Sequence, residues 1–250
     1  MHLRAVSVAV LLASAAAGQE PVVERVLYVR HAATLGDLRE VAVVIRAVAD
    51  IRDVSIDEAQ KAVAVRGTPA RIAMAEWLAS ELDQVRPGEN PGPREYRVPG
   101  SADGVVRIFW LVHAATPQDL QEMATLLRST ADIRYLFVYS APKALALRGK
   151  ASQIAIAAWL VDELDRARQD RAPGPHEYVV PGGADDVVRL FYLAHAGTPQ
   201  ELQRMATEVR RETNIARLFV NSAQRAVALR ATASQVAQVE RLMGELDKAR

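Results

Sequence analysis

The residues His-Ala-Ala-Thr or His-Ala-Gly-Thr occur at His31–Thr34, His113–Thr116 and His195–Thr198, both intervals being 82 residues without a gap. That period constrains the fold more than any other feature, because each copy must make the same elements in the same order. Length alone would allow one large domain or two ordinary ones.

Within a copy the pattern is consistent. Arg25–Arg30 is β-branched and aromatic and reads as a strand. Thr34 is placed to cap a helix, with Asp37 three residues on. Leu38, Val41, Ala42 and Ile45 then form the apolar stripe of an amphipathic helix. Asp53–Asp57 and Ala62–Arg66 read as a strand pair around a polar turn, and Thr68-Pro69 opens a second helix with Ile72, Ala75, Leu78, Ala79 and Leu82 inward. The second copy repeats this with strands at Arg107–Leu111, Tyr135–Tyr139 and Ala144–Arg148, and helices from Pro117 and over Ala151–Arg166. The third has strands at Arg189–Leu193, Leu218–Asn221 and Ala226–Arg230, with helices from Pro199 and Ala233. The expected fold is α+β: three tandem βαββα modules, each a small mixed sheet with two helices on one face. Their expected extents are 24–85, 105–167 and 187–250.

Two linkers, 86–104 and 168–186, are rich in proline and both carry Glu-Tyr-X-Val-Pro-Gly, at Glu95–Gly100 and Glu177–Gly182. A plain spacer has no reason to repeat Tyr96 and Tyr178 in register. Each short segment is expected to pair through a turn with the first strand of the next module.

The start of the chain suggests export. Met1–Arg4 is short and basic, Ala5–Ala17 is uncharged and mostly apolar, and small residues precede Gly18, the pattern of a secretory signal cleaved near Ala17 and Gly18. The run is too short to span a bilayer, so a periplasmic or secreted chain without a membrane span is expected. With a net charge of +1 there is no electrostatic reason to expect nucleic acid or an anionic membrane as partner, and with no cysteine there is neither a disulfide framework nor thiolate chemistry.

The candidates for chemistry are few. His31, His113 and His195 are expected to bond backbone where a strand turns into a helix, since each copy supplies a single histidine and a metal site needs several convergent ligands. No serine has a nucleophile-elbow setting, and the carboxylates of Glu-Leu-Asp at Glu81–Asp83, Glu163–Asp165 and Glu245–Asp247 recur too regularly to form one catalytic cleft. No enzyme, cofactor or metal is expected. Gly67–Ala70 and Gly149–Ser152 offer only a weak anion signal, which Ala231 breaks in the third copy. Arg66, Arg148 and Arg230 are the one recurring cationic position and the candidate anion contacts.

Differences between copies say more. Met74 and Trp77 lie well off the inward stripe of their helix; Ile156 and Trp159 repeat them, whereas Gln238 and Arg241 replace them in the third copy. Met74, Trp77, Ile156 and Trp159, with Tyr96 and Tyr178, are therefore the candidate inter-module or partner contacts, and an exposed aromatic patch is the competing reading.

The combination of a His-Ala-type turn, Thr-Pro-X-X-Leu at a helix start, a strand running into Arg-Gly-Thr-Pro and a helix closing in Glu-Leu-Asp resembles the periplasmic N-terminal repeats of secretins. It rests on His31–Thr34, Val63–Pro69 and Glu81–Asp83, on His113–Leu120, Ala146–Gly149 and Glu163–Asp165, and on His195–Leu202 and Glu245–Asp247. The resemblance implies a KH-like βαββα module used for protein–protein packing, which in that family stacks into rings. No β-rich channel region follows Arg250, so the expectation is a stand-alone array without the channel domain. A non-enzymatic interaction scaffold of the bacterial envelope, with a protein partner or self-association, is the leading reading. A periplasmic binder of cell-wall or small anionic ligands and a KH-like nucleic-acid binder are the alternatives, the last only without a signal peptide.

Overall fold

The computed structural model describes residues 21–84, 90–170, 176–183 and 186–248. The signal segment expected at 1–18 and parts of both linkers lie outside the described residues. The described chain is mixed α and β, with three small sheets and a recurring βαββα order. The first set is β1 (Val23–Tyr28), α1 (Leu35–Val48), β2 (Asp53–Asp57), β3 (Ala62–Gly67) and α2 (Pro69–Gln84). The second is β4 (Arg94–Arg97), β5 (Gly104–Trp110), α3 (Pro117–Thr130), β6 (Tyr135–Tyr139), β7 (Ala144–Lys150) and α4 (Ala151–Leu164). The third is β8 (His176–Val179), β9 (Val187–Tyr192), α5 (Pro199–Thr213), β10 (Leu218–Asn221), β11 (Ala226–Ala231) and α6 (Ala233–Leu246).

The sheet orders are β1-β3-β2, β4-β5-β7-β6 and β8-β9-β11-β10. β1 and β2 run the same way but are never neighbours, because β3 lies between them and is antiparallel to both. The helix crossover returns the chain parallel to β1, and the hairpin then inserts β3 into the gap. The first strand runs two residues earlier than its β-branched pattern suggests, since Arg30 and His31 already turn toward α1.

Local chemistry sets the helix starts. Thr34, Thr116 and Thr198 each accept the backbone N–H of the third helical residue, and Asp37, Asp119 and Glu201 return a bond to the cap N–H. These capping boxes satisfy amides that the helix cannot. The backbone N–H groups of Gly197 and Thr198, with the Thr198 side chain, hold the Glu201 carboxyl below the usual glutamate range. After each first helix the chain turns through a left-handed residue, Asp50, Asp132 or Asn214, types that tolerate positive φ.

Glu-Tyr-X-Val-Pro-Gly is also explained. The Ser101 N–H donates to the Val98 carbonyl, with Pro99 and Gly100 between them, and Gly100 has φ +77°. Gly183, Pro181 and Gly182 (φ +78°) repeat this after Val180, so proline presets one turn residue and glycine supplies the positive φ of the next. The turns fold β4 onto β5 and β8 onto β9, with Tyr96 opposite Val106 and Tyr178 opposite Val188.

By compactness the chain forms two units: the described residues to Trp110 with Phe137–Ala146, and Leu111–Leu136 with the described residues from Leu147. In the first, one apolar cluster contains Leu38, Val41, Val44, Ile45, Val48, Met74 and Leu78 together with Val106, Ile108, Trp110, Tyr139, Ala144 and Ala146. In the second, Leu202, Met205, Val209, Leu218, Leu229, Val236 and Met243 form a core, and α3 packs on β10 and β11 while α4 packs on β8. Among the described residues no helix is long and apolar enough to cross a membrane.

Candidate interaction surfaces

The histidine joint is a structural device. Asp165, the last residue of Glu-Leu-Asp, accepts the N–H groups of Val112 and His113, both at 2.7 Å, while Nδ1 of His113 lies 2.7 Å from the Asp165 carbonyl oxygen. α4 therefore stops at Leu164, short of its expected end at Arg166, because Asp165 leaves the helix to close this joint. Asp83 takes the N–H of His31 at 2.7 Å, and Asp247 takes those of Ala194, His195 and Ala196 at 2.6–3.0 Å. Among the described residues no group of three or more His, Asp or Glu side chains could hold a metal ion. The sequence signal for the joint was available, a His and an Asp 52 residues apart in every copy.

The aromatic candidates meet in pairs. Trp77 of α2 lies on Tyr96 of β4 with centroids 5.3 Å apart, and Trp159 of α4 on Tyr178 of β8 at 5.8 Å. Met74 and Ile156, one turn before the tryptophans, are both 2% exposed. The turn that makes β4 and β8 edge strands is what brings each tyrosine to its tryptophan.

A second recurring contact was not read from the sequence. The Ser140 N–H and hydroxyl donate to the Glu40 carboxylate of α1 at 2.6 and 2.8 Å, and the Ser222 N–H donates to Glu122 of α3 at 2.7 Å. Both pairs are 100 residues apart, one repeat plus the distance from the helix to the following hairpin turn. Thus α1 holds the β6–β7 turn and α3 holds the β10–β11 turn by one geometry. Aligning the copies puts Arg204 where Glu40 and Glu122 stand.

α5 and α6 lack the rest of that face too. Buried Val44 and Leu126 become Glu208, Val48 and Thr130 become Glu212, Gln238 replaces buried Met74 and Ile156, and exposed Arg241 replaces half-buried Trp77 and Trp159. The first sheet departs in the complementary way. Val106, Ile108 and Trp110 of β5 are buried, whereas their counterparts on β1 are Glu24, Val26 and Tyr28, with Val26 48% and Tyr28 52% exposed. On the same face Phe137 and Tyr139 of β6 correspond to Ser55 and Asp57 of β2.

The three arginines do not share a site. Arg66 is exposed and lies in register with Glu24 on one side and Asp53 on the other. The Arg148 guanidinium stacks 4.3 Å from the Tyr135 ring. Arg230 donates to Asp186 at 2.9 Å and to the Thr130 carbonyl at 3.2 Å. Hydrogen bonds from Arg230 hold the Asp186 carboxyl below its usual range.

The chain is similar to solved secretin structures. They include Aeromonas hydrophila ExeD (17% identity, 92% of this chain and 42% of that one, TM-score 0.22). The secretin in the ETEC AspS–GspD pilotin–secretin complex is another (12%, 93% and 39%, TM-score 0.23). A third is the N-terminal domain of the secretin XcpQ from Pseudomonas aeruginosa (13%, 57% and 62%, TM-score 0.24). The chain spans about two fifths of the length of the first two. No family model and no curated protein matches the sequence.

Proposed function

We propose that this chain is a non-enzymatic, exported protein-interaction array of the bacterial envelope, with modules at about 24–85, 105–167 and 187–250. The observation that carries the reading is the repeated use of one packing mode: α1 grips the β6–β7 turn through Glu40 and Ser140, and α3 grips the β10–β11 turn through Glu122 and Ser222. Laying sheet surface on helix surface is a mode that suits binding other proteins through the same elements. The recurring Asp83, Asp165 and Asp247 close joints, and Arg230 is paired to Asp186, which supports structural roles for these repeated positions. Export rests on the basic start and apolar run before Gly18.

Site-specific photo-cross-linking tests it. A photoreactive residue at Val26 or at Arg241 is expected to give protein adducts in intact envelopes. No protein adduct at either position, with retention of the chain on cell-wall material, would overturn the reading in favour of a wall ligand. Intact-mass analysis of the exported chain is expected to show loss of the residues before Gly18.

A further inference from the structure

We propose that the outer edge of β1 is a strand-addition site for an extended segment of another protein that places a glutamate or aspartate opposite Arg25 and an aromatic residue beside it. The proposal rests on the protein-binding reading above and names the surface and the kind of partner.

The chain shows twice what this edge takes. β5 and β9, the counterparts of β1, are interior strands because β4 and β8 lie outside them. In both cases the added strand runs antiparallel and sets glutamate opposite arginine, Glu95 on Arg107 and Glu177 on Arg189. β1 is the outermost strand of its sheet among the described residues, in the order β1-β3-β2.

Arg25 keeps half of the arrangement found at Arg189. Arg189 is held between Glu177 of β8 at 3.0 Å and Glu240 of α6 at 2.9 Å. Arg25 pairs at 3.1 Å with Glu76 of α2, which aligns with Glu240, and no described strand brings it a second carboxylate. The helix half is present and the strand half is missing, so charge complementarity selects an acidic residue there.

The two edges of the first sheet differ in a way that fits. β2 carries Asp53 and Asp57, whereas β1 contains no proline or glycine and, beside Glu24 and Arg25, exposes Val26 and Tyr28, with Val22 exposed just before it. Unprotected edges with apolar side chains pair readily with another strand. In the register of β4 and β8 the residue after the acid lies opposite Glu24, next to Val26, where an aromatic ring finds apolar cover. In sequence, the residues one period before β4 are Leu12-Ala13-Ser14-Ala15, which offer neither acid nor aromatic ring.

The probe is a labelled peptide of the β4 sequence, Pro93–Pro99, added to the purified chain and followed by fluorescence anisotropy and by amide exchange on β1. It is expected to bind and to slow exchange on β1. A peptide with Lys in place of Glu95 should bind about five-fold more weakly, the sum of a lost pair and a like-charge contact. Arg25→Glu should invert that preference, which a merely destabilised sheet would not do. Equal affinity for both peptides, or no effect of Arg25→Glu on their ratio, overturns the proposal. So does full protection of the β1 edge in the chain alone, by its own first residues or by a second copy. Protein adducts in the envelope that persist in Arg25→Glu alongside absent peptide selectivity would remove the edge site and leave the protein-binding reading standing. Absence of every adduct from the unsubstituted chain would remove that reading itself.

Discussion

Glu40, Glu122 and Arg204 occupy one position in three copies, so a single substitution made three times isolates the contact between a helix and the following hairpin turn. Glu40 accepts two bonds from Ser140, at 2.6 and 2.8 Å, at a part-buried site. A hydrogen bond to a charged group contributes about 1.5–3 kcal/mol, and the stranded Ser140 N–H adds a desolvation cost. Glu40→Ala is therefore expected to destabilise by about 2–3 kcal/mol. Glu122 receives one bond from the hairpin turn, from the Ser222 N–H at 2.7 Å, beside an exposed bond from Gln118 of its own helix at 3.2 Å, and Glu122→Ala is expected to cost about 1.5 kcal/mol. Arg204 is exposed on α5, and Arg204→Ala is expected to stay within about 0.5 kcal/mol. At roughly 2–4 °C per kcal/mol for a chain of this size, thermal melting separates the first from the third. Amide exchange gives the local reading, with Ser140 accelerated in the first variant, Ser222 in the second and neither in the third. Equal losses at all three positions, or a Glu40 variant as stable as the parent, would refute the account of helix–hairpin packing.

Three further outcomes are expected. Trp77→Ala and Tyr96→Ala, combined in a double-mutant cycle, should show a coupling of about 1 kcal/mol for rings 5.3 Å apart, and urea titrations giving strictly additive losses would remove the pair as a unit. Arg230 depresses the Asp186 carboxyl, so the stability this pair lends is complete above the ordinary aspartate range and is lost as pH falls through the depressed value; Asp186→Asn should flatten that part of an acid unfolding profile. Burial, aided by Asp37, Glu40 and Asp83, pushes the Tyr139 phenol up to about 12, so its contribution holds below the ordinary tyrosine value and fades as pH rises towards 12. Ultraviolet titration with Tyr139→Phe as control should find this tyrosine among the last to ionise, and ionisation near 10 would contradict the packing.

The elements were legible because each is written in nearest-neighbour chemistry. Threonine with an acid three residues on marks the start of α1, α3 and α5, and Pro-Gly marks the turns after β4 and β8. Trp77 and Trp159 stood out because Arg241 takes their place in the third copy, and the structure sets those rings beside Tyr96 and Tyr178. What stayed hidden depends on partners far apart in the chain. Val106, Ile108 and Trp110 read as ordinary strand residues, and nothing local says which helices cover them. The bond from Ser140 to Glu40 spans 100 residues and appears only when the turn of one copy is aligned with the helix of the copy before it. The surroundings of the three arginines stayed hidden for a related reason. They recur in sequence, but Asp186, the Tyr135 ring and the Glu24–Asp53 register give them different company.

Two surfaces break the internal rule, and they break it in matching ways. The packing mode needs an apolar helix face carrying glutamate, met by a sheet face of Val106, Ile108, Trp110 and Tyr139 with a serine at the hairpin turn. α5 and α6 replace the helix half with Arg204, Glu208, Glu212, Gln238 and Arg241, and the first sheet replaces the sheet half with Glu24, Ser55 and Asp57, with Glu58 at the serine position. Burying either face as α1 and α3 are buried would strand several charges, at a cost that one opposite pair such as Arg204 and Glu58 does not offset. Terminal repeats of arrays are resurfaced in this way to stop growth by face-to-face packing. An edge is a different matter, because strand addition is carried by backbone amides and carbonyls that no side-chain replacement removes. Charge on the faces and apolar residues along β1 are therefore compatible: the first disfavours face-to-face packing of the kind seen at α1 and α3, and it leaves the backbone pairing on which the proposed strand addition relies untouched.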